Sequence, residues 1–182
     1  SWSPPLLDVY GFEWNGSTYV CTQKLTQDGG WVGRYGFSHD GAMHAIGADR
    51  FGTDPDKELI WVYYDTEWSE VQTITDNDWM DDIGGFDFDV EGNGVLVFRT
   101  GYFWADVAWA EFDGSSWTAH YNLTETGEHE EIRAVDFKFG QDGNGLATIC
   151  SFNSVDTWVN YSFWDGSGFG EIHTLFNPDG FE

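Results

Sequence analysis

The sequence predicts an all-β domain assembled from repeated four-stranded antiparallel units. Three observations predict it. Aromatic residues form 19% of the 182-residue chain (11 Trp, 15 Phe, 8 Tyr), alongside 23 Gly and only 4 Pro. Aromatic runs punctuated by glycine suit strands joined by tight turns. Second, a turn flanked by aromatics recurs as Trp14-Asn15-Gly16-Ser17-Thr18-Tyr19, Phe112-Asp113-Gly114-Ser115-Ser116-Trp117 and Trp164-Asp165-Gly166-Ser167-Gly168-Phe169, with a worn copy at Tyr64-Asp65-Thr66-Glu67-Trp68. Asn-Gly or Asp-Gly between apolar runs is a strong hairpin signal, because these residues tolerate positive φ. Third, Phe86-Asp87-Phe88-Asp89-Val90-Glu91-Gly92-Asn93-Gly94 is matched without a gap by Phe137-Lys138-Phe139-Gly140-Gln141-Asp142-Gly143-Asn144-Gly145. An equal shift backwards reaches Tyr35-Gly36-Phe37-Ser38-His39-Asp40-Gly41.

Taken in order, the first hairpin centres near residue 15 and the next near residue 40, leading into an apolar run at 42–47. Ile60 to Tyr64 leads into the turn near residue 65. Phe86, Phe88 and Val90 then share one face, with Asp87 and Asp89 on the other, the period-two pattern of a strand. Val95 to Phe98 and Leu146 to Cys150 are nearly continuously apolar, as in strands buried on both faces. Val107 to Phe112 leads into the turn near 113 and Trp117 to Leu123 leads out of it, with Trp117, Ala119, Tyr121 and Leu123 on one face. Further turns follow near 143 and 165, with Trp158 to Trp164 as the intervening strand. No segment has a sustained helical period with caps.

Two alternating hairpins in about 50 residues have the size of a propeller blade. The chain is therefore expected to be one β-propeller domain of four-stranded antiparallel blades, about three and a half per chain. Residues 1–33 form a partial blade, and 34–83, 84–132 and 133–182 form full ones. A closed four-bladed propeller, with 1–8 pairing to the C-terminus, is the alternative. Open sheet edges invite association, so a homodimer completing a ring is a third arrangement. Residue 1 is Ser, which suggests a processed or excised piece of something longer.

Composition narrows the function. Seven Lys+Arg against 32 Asp+Glu give a net charge of −25. Nucleic-acid binding needs a cationic surface and is excluded as an expectation. No apolar run reaches the length of a membrane span, so no membrane insertion is expected. The acidity fits a high-salt surface, cation binding or an ordinary acidic extracellular protein. Cys21 and Cys150 lie in strand-like runs and read as buried thiols, with a disulfide as the alternative. Asn15, Asn122 and Asn160 begin glycosylation sequons, which we read as chance matches.

Through Glu91-Gly92-Asn93, Asp142-Gly143-Asn144, Phe112-Asp113-Gly114 and Trp164-Asp165-Gly166 the chain resembles β-propeller proteins with NHL-like or sialidase-like blade repeats, from about residue 9 to 176. Their Asp-box is incomplete here: Ser38-His39-Asp40-Gly41 is a partial echo without its Trp. A sialidase-like resemblance implies an arginine triad, a tyrosine nucleophile and acids. Arg34, Arg50, Arg99 and Arg133 do not fall at matching repeat positions.

Candidate chemistry follows. Asp87, Asp89 and Glu91, followed by Gly92, match the first half of a calcium loop, but Phe98 stands where the closing Glu belongs. A shallow Ca²⁺ site competes there with a solvated strand face. In a meander of this kind, the Asp-Gly turns project at one end and the long connections at the other. The connections carry Trp79, Asp81 and Asp82, and also Tyr102 and Trp104 within Gly101-Tyr102-Phe103-Trp104-Ala105-Asp106. Aromatics beside acids hold sugar rings by stacking and by hydroxyl hydrogen bonds. The competing reading is acidic solvent loops and aromatics packed between blades. The sequence thus points to a non-enzymatic extracellular binding or scaffold module for glycan or protein. Alternatives are part of a glycoside-cleaving propeller and a structural component of a larger assembly.

Overall fold

A computed structural model describes residues 10–24, 31–37, 42–49, 57–101, 105–124, 131–152 and 156–176. Every regular element in it is a strand, and no helix is long and apolar enough to cross a membrane. The strands are β1 (Tyr10–Trp14), β2 (Tyr19–Lys24), β3 (Trp31–Phe37), β4 (Met43–Asp49), β5 (Glu58–Tyr64), β6 (Gln72–Thr73), β7 (Asp81–Phe88), β8 (Gly94–Thr100), β9 (Asp106–Phe112), β10 (Trp117–His120), β11 (Glu131–Phe139), β12 (Gly145–Phe152), β13 (Thr157–Trp164) and β14 (His173–Phe176). They form four antiparallel sheets. β1–β2 is two-stranded, and β3–β6, β7–β10 and β11–β14 are four-stranded meanders in sequence order.

The turns explain the pairing. Asn15, Asp113 and Asp165 each place Oδ1 at the start of a tight turn. Asp113 Oδ1 accepts from Ser115 N–H (2.9 Å), Ser115 Oγ (2.8 Å) and Ser116 N–H (2.9 Å). Asn15 and Asp165 accept from the equivalent donors. The following glycines sit at φ near +95° (Gly16 +97°, Gly114 +93°, Gly166 +94°), where a side chain is strained. These three turns are one local structure, written by four residues each. Their hydrogen bonds favour the carboxylate, so both Asp113 and Asp165 titrate below the ordinary aspartate value.

The sheets stack in chain order. Ile46, Ala48, Leu59 and Trp61 face Phe86, Leu96, Phe98, Ala108, Ala110, Phe112 and Trp117. The opposite face of β7–β10 presents Val95, Val97 and Val107 to Ile132, Val135, Phe137, Ala147, Ile149 and Trp164. β7 packs on both β3 and β11, so the first strands of the three meanders run side by side. A bulge interrupts each of them, between Val32/Arg34, Ile83/Gly85 and Ile132/Ala134. The two-stranded β1–β2 sheet meets the outer β5–β6 hairpin: the Trp68 ring covers Gly11, and Gln23 Nε2 donates to Ser69 C=O (3.0 Å).

Three expectations are corrected. β12 is not buried on both faces: Ala147 and Ile149 are covered, while Leu146 is exposed, because among the described residues no sheet lies over its second face. The strand after Asp113 ends at His120 rather than Leu123. Asn122 takes a left-handed φ of 69°, and the chain turns so that Leu123 and Thr124 N–H both donate to Val107 C=O (2.9 and 3.3 Å), while Thr124 Oγ1 accepts from Val107 N–H (2.8 Å). Ile74 and Thr75 clasp Leu59 identically in the preceding sheet. Finally, Cys21 and Cys150 are both free thiols, with Cys21 exposed on the uncovered β1–β2 pair rather than buried.

Candidate functional site

At the loop end, two buried carboxylates meet. Glu58 opens β5 and Asp81 opens β7. Asp81 N–H donates to Lys57 C=O (2.9 Å), joining the two strand starts. Asn77 sits between their side chains. Its N–H donates to Glu58 Oε1 (3.2 Å), and its Nδ2 donates to Asp81 Oδ2 (2.9 Å) and Tyr121 Oη (3.1 Å). Asp81 is 0% exposed and Glu58 7%; Asp81 Oδ1 and Glu58 Oε2 have no donor in full hydrogen-bond geometry, although the Thr75 hydroxyl lies close to both carboxylates and that of Thr100 close to Asp81. Burial pushes the pKa of both groups upward, with mutual repulsion and Asp76 adding to it at Glu58, and Asp82 adding to it at Asp81. Burial also raises Tyr121, with help from the same acids.

The residues singled out in the sequence separate here. Asp81 is interior. Asp82 is half-exposed and bridges Lys57 Nζ (3.5 Å) and Arg99 Nη2 (3.3 Å). Trp79 is 53% exposed, and its backbone N–H donates to Asn77 Oδ1 (2.7 Å). Tyr102 and Trp104 lie outside the described residues. Asp87 accepts from Phe139 N–H (3.1 Å) and lies 3.5 Å from Lys138 Nζ, tying β7 to β11. Asp89 caps its own turn, accepting from Glu91 N–H (2.8 Å), Asn93 N–H (2.9 Å) and Asn93 Nδ2 (2.9 Å). A cation at Asp87, Asp89 and Glu91 would have to displace these donors from Asp89. Among the described residues no group of three His, Cys, Asp or Glu side chains is placed to hold a metal. Arg99 pairs with Asp82, and Arg133 pairs with Glu131 (3.4 Å) and lies over the Phe152 ring. Among the described side chains, Arg99 is thus tied to the neighbouring strand β7 and Arg133 to its own strand β11.

The opposite end holds a groove of about 430 Å³ between β3–β6 and β7–β10. Its floor and one wall are aromatic. His44 and Tyr63 are directly paired across β4 and β5. Trp61 and Tyr63 stack (5.3 Å between centroids, 25°), and His44 lies near-parallel to Trp61 at 5.8 Å. Phe112 closes the floor edge-on to Trp61 at 5.2 Å. Trp61 Nε1 donates to His44 Nδ1 (3.0 Å), which fixes Nδ1 as acceptor and leaves the neutral ring's proton on Nε2. Trp61 and His44 are buried, but Tyr63 is 36% exposed and offers a ring face and a hydroxyl. Asp65 follows Tyr63 through the β5–β6 turn, and Glu91, Gly92, Gly114 and Ser115 come from the turns of the next sheet. Alternation along β5 was a visible signal for Trp61 and Tyr63 sharing a face. Nothing local tells that the turns of the next sheet would meet that face across a groove.

No family model matches the chain, and no curated protein matches it. Among solved structures it is similar to a PL25 ulvan lyase of a new polysaccharide lyase family, bound to -[GlcA(1-4)Rha3S]-, with a TM-score of 0.64 at 12% identity. A second structure of PL25 ulvan lyase gives a TM-score of 0.58 at 12% identity. In both cases the match covers 90% of this chain and 48% of the other, so this chain spans about half the lyase's length. A fucose lectin from Kordia zhangzhouensis, in complex with methyl-fucoside, matches at a TM-score of 0.49 and 13% identity over 79% of this chain and 97% of that one. Identities this low establish likeness of fold alone.

Proposed function

We propose that the chain is a non-enzymatic, extracellular glycan-binding module, and that its sheets are successive β-propeller blades, about three and a half per chain. The observation that carries the reading is the groove: a partly exposed tyrosine ring backed by Trp61 and His44, with carboxylates on both rims. A sugar ring presents an apolar C–H face and equatorial hydroxyls, and such a site meets both. The blade reading is supported by meanders in chain order and by first strands packed side by side. The second surface in this proposal is the loop end, with Trp79 and Asp82 beside the Tyr102 and Trp104 that the sequence singles out; Asp81 is buried beneath it. Calcium at Asp87, Asp89 and Glu91 is not needed for it.

Tyr63→Ala is expected to weaken oligosaccharide binding at least tenfold, about 1.4 kcal/mol, as read by quenching of tryptophan fluorescence. Trp79→Ala is expected to change it less than twofold. The reverse pattern would move the ligand to the loop end. No response from any sugar at millimolar concentration would remove the lectin reading.

Self-association is the remaining part of the proposal. β1–β2 exposes Tyr10, Phe12 and Tyr19, and the last sheet exposes Phe163 and Leu175. Uncovered apolar faces and open edges favour pairing of two copies into one ring. Light scattering of the purified chain is expected to give a dimer, and a monodisperse monomer would exclude the shared ring.

A further inference from the structure

Resting on the glycan reading, we propose that the turn-end groove selects a sugar that carries hydrogen-bond donors and no negative charge, meaning a neutral or amino sugar rather than a uronate or sulfated one. Asp65 and Glu91 stand on opposite rims, one from each sheet, and both are exposed. Among the described residues neither side chain is held by a hydrogen bond or ion pair, so both remain open to a ligand. Among the described residues, no lysine or arginine lines the groove. Ionised carboxylates only accept hydrogen bonds. They therefore match vicinal hydroxyls or an ammonium group and repel carboxylate or sulfate. The Tyr63 hydroxyl carries no charge and Ser115 Oγ donates to Asp113, so neither offsets the charge of the carboxylates. The net charge of −25 adds a background field of the same sign. The groove is open beside Gly92 and Gly114: a Cβ added at either would meet nothing within 4 Å.

The test is a calorimetric titration with three oligosaccharide sets: neutral galactan oligomers, glucosamine oligomers and guluronate oligomers, each at 20 and 200 mM salt. The neutral or the glucosamine set is expected to bind at least tenfold more tightly than guluronate at 20 mM. That gap should narrow at 200 mM, since exposed charges are screened. It should also shrink in the double variant Asp65→Asn, Glu91→Gln. Tighter glucosamine binding at low salt assigns an amino sugar, and equal binding of the two assigns a neutral one. Guluronate binding as tight as the best non-anionic set overturns the charge inference while leaving the groove a glycan site. Binding of none of the three overturns the glycan reading itself, and with it this inference.

Discussion

Gly85→Ala is expected to lower unfolding stability by about 3 kcal/mol, the upper part of the range for overpacking a close contact. Gly85 lies at the bulge of β7, where that strand runs against β11. A Cβ there would collide with the Asp136 carboxylate and lie within 2.8 Å of Asp136 Cα. Side chains can rotate away, but a backbone atom moves only if the strand moves, and β11 is held by its own ladder to β12. Its neighbour Gly84 is similarly confined, by Val135 and the Val97 carbonyl. Gly168 is the control. It is open on all sides and not at positive φ, so Gly168→Ala should stay within about 0.5 kcal/mol. Urea unfolding of the three proteins decides it. A Gly85→Ala loss no larger than the control's would mean that β7 and β11 are not packed at this distance.

Asp81→Asn is expected to raise stability at pH 7 to 8 by about 1–2 kcal/mol, the scale of one satisfied buried hydrogen bond, and to flatten the pH dependence of stability on the acidic side. The neighbourhood is short of donors. Asn77 serves one oxygen of each carboxylate, and the second oxygens have only the nearby Thr75 and Thr100 hydroxyls, outside full hydrogen-bond geometry. An amide at position 81 keeps the acceptor that faces Asn77 and turns Oδ1 into a donor beside Thr100, its partner across the β7–β8 ladder, whose hydroxyl also lacks a partner. The sign follows from linkage. Burial raises the folded pKa of Asp81 and Glu58 above the unfolded value. Their contribution is therefore fully present below the unfolded pKa and is lost as pH rises through the folded pKa. Asp113, Asp142 and Asp165 act in the opposite sense. Their folded values are depressed by turn hydrogen bonds, so their contribution holds above the unfolded pKa and is lost as pH falls through the folded one. The difference in stability between Asp81→Asn and the parent, measured across pH 3 to 8, isolates the buried pair from the turns. A difference that does not grow with pH would show that Asp81 is not charged and buried as described.

The two results bear on different levels of the structure. Asp113, Gly114 and Ser115 make their turn among themselves, and Asn15 and Asp165 repeat it. Such turns are legible in sequence because donor, acceptor and positive-φ glycine lie within four residues of one another. Period-two alternation similarly made Phe86 and Phe88 legible as core-facing. The Thr75 and Thr124 clasps were not, although an apolar residue followed by Thr stands at both places. Their partner amides are 16 or 17 residues away, across a loop whose path no local pattern sets.

The candidate site divides in the same way. An acid in an acidic connection reads as solvated, which is the usual state of carboxylates. Asp81 is interior because β7 packs between two other sheets, and that burial is set by contacts far off in the sequence. Likewise, β4 and β5 place His44, Trp61 and Tyr63 on one face, but the groove is completed by turn residues of the next sheet, Glu91, Gly92, Gly114 and Ser115. The sequence by itself determined the strands, their hairpin turns, the antiparallel order within each sheet and the strongly acidic surface, since these rest on contacts between near neighbours and on composition. Tertiary structure alone decided which carboxylates are buried, which face of β12 is bare and where a ligand can enter, because each depends on how one sheet seats against another.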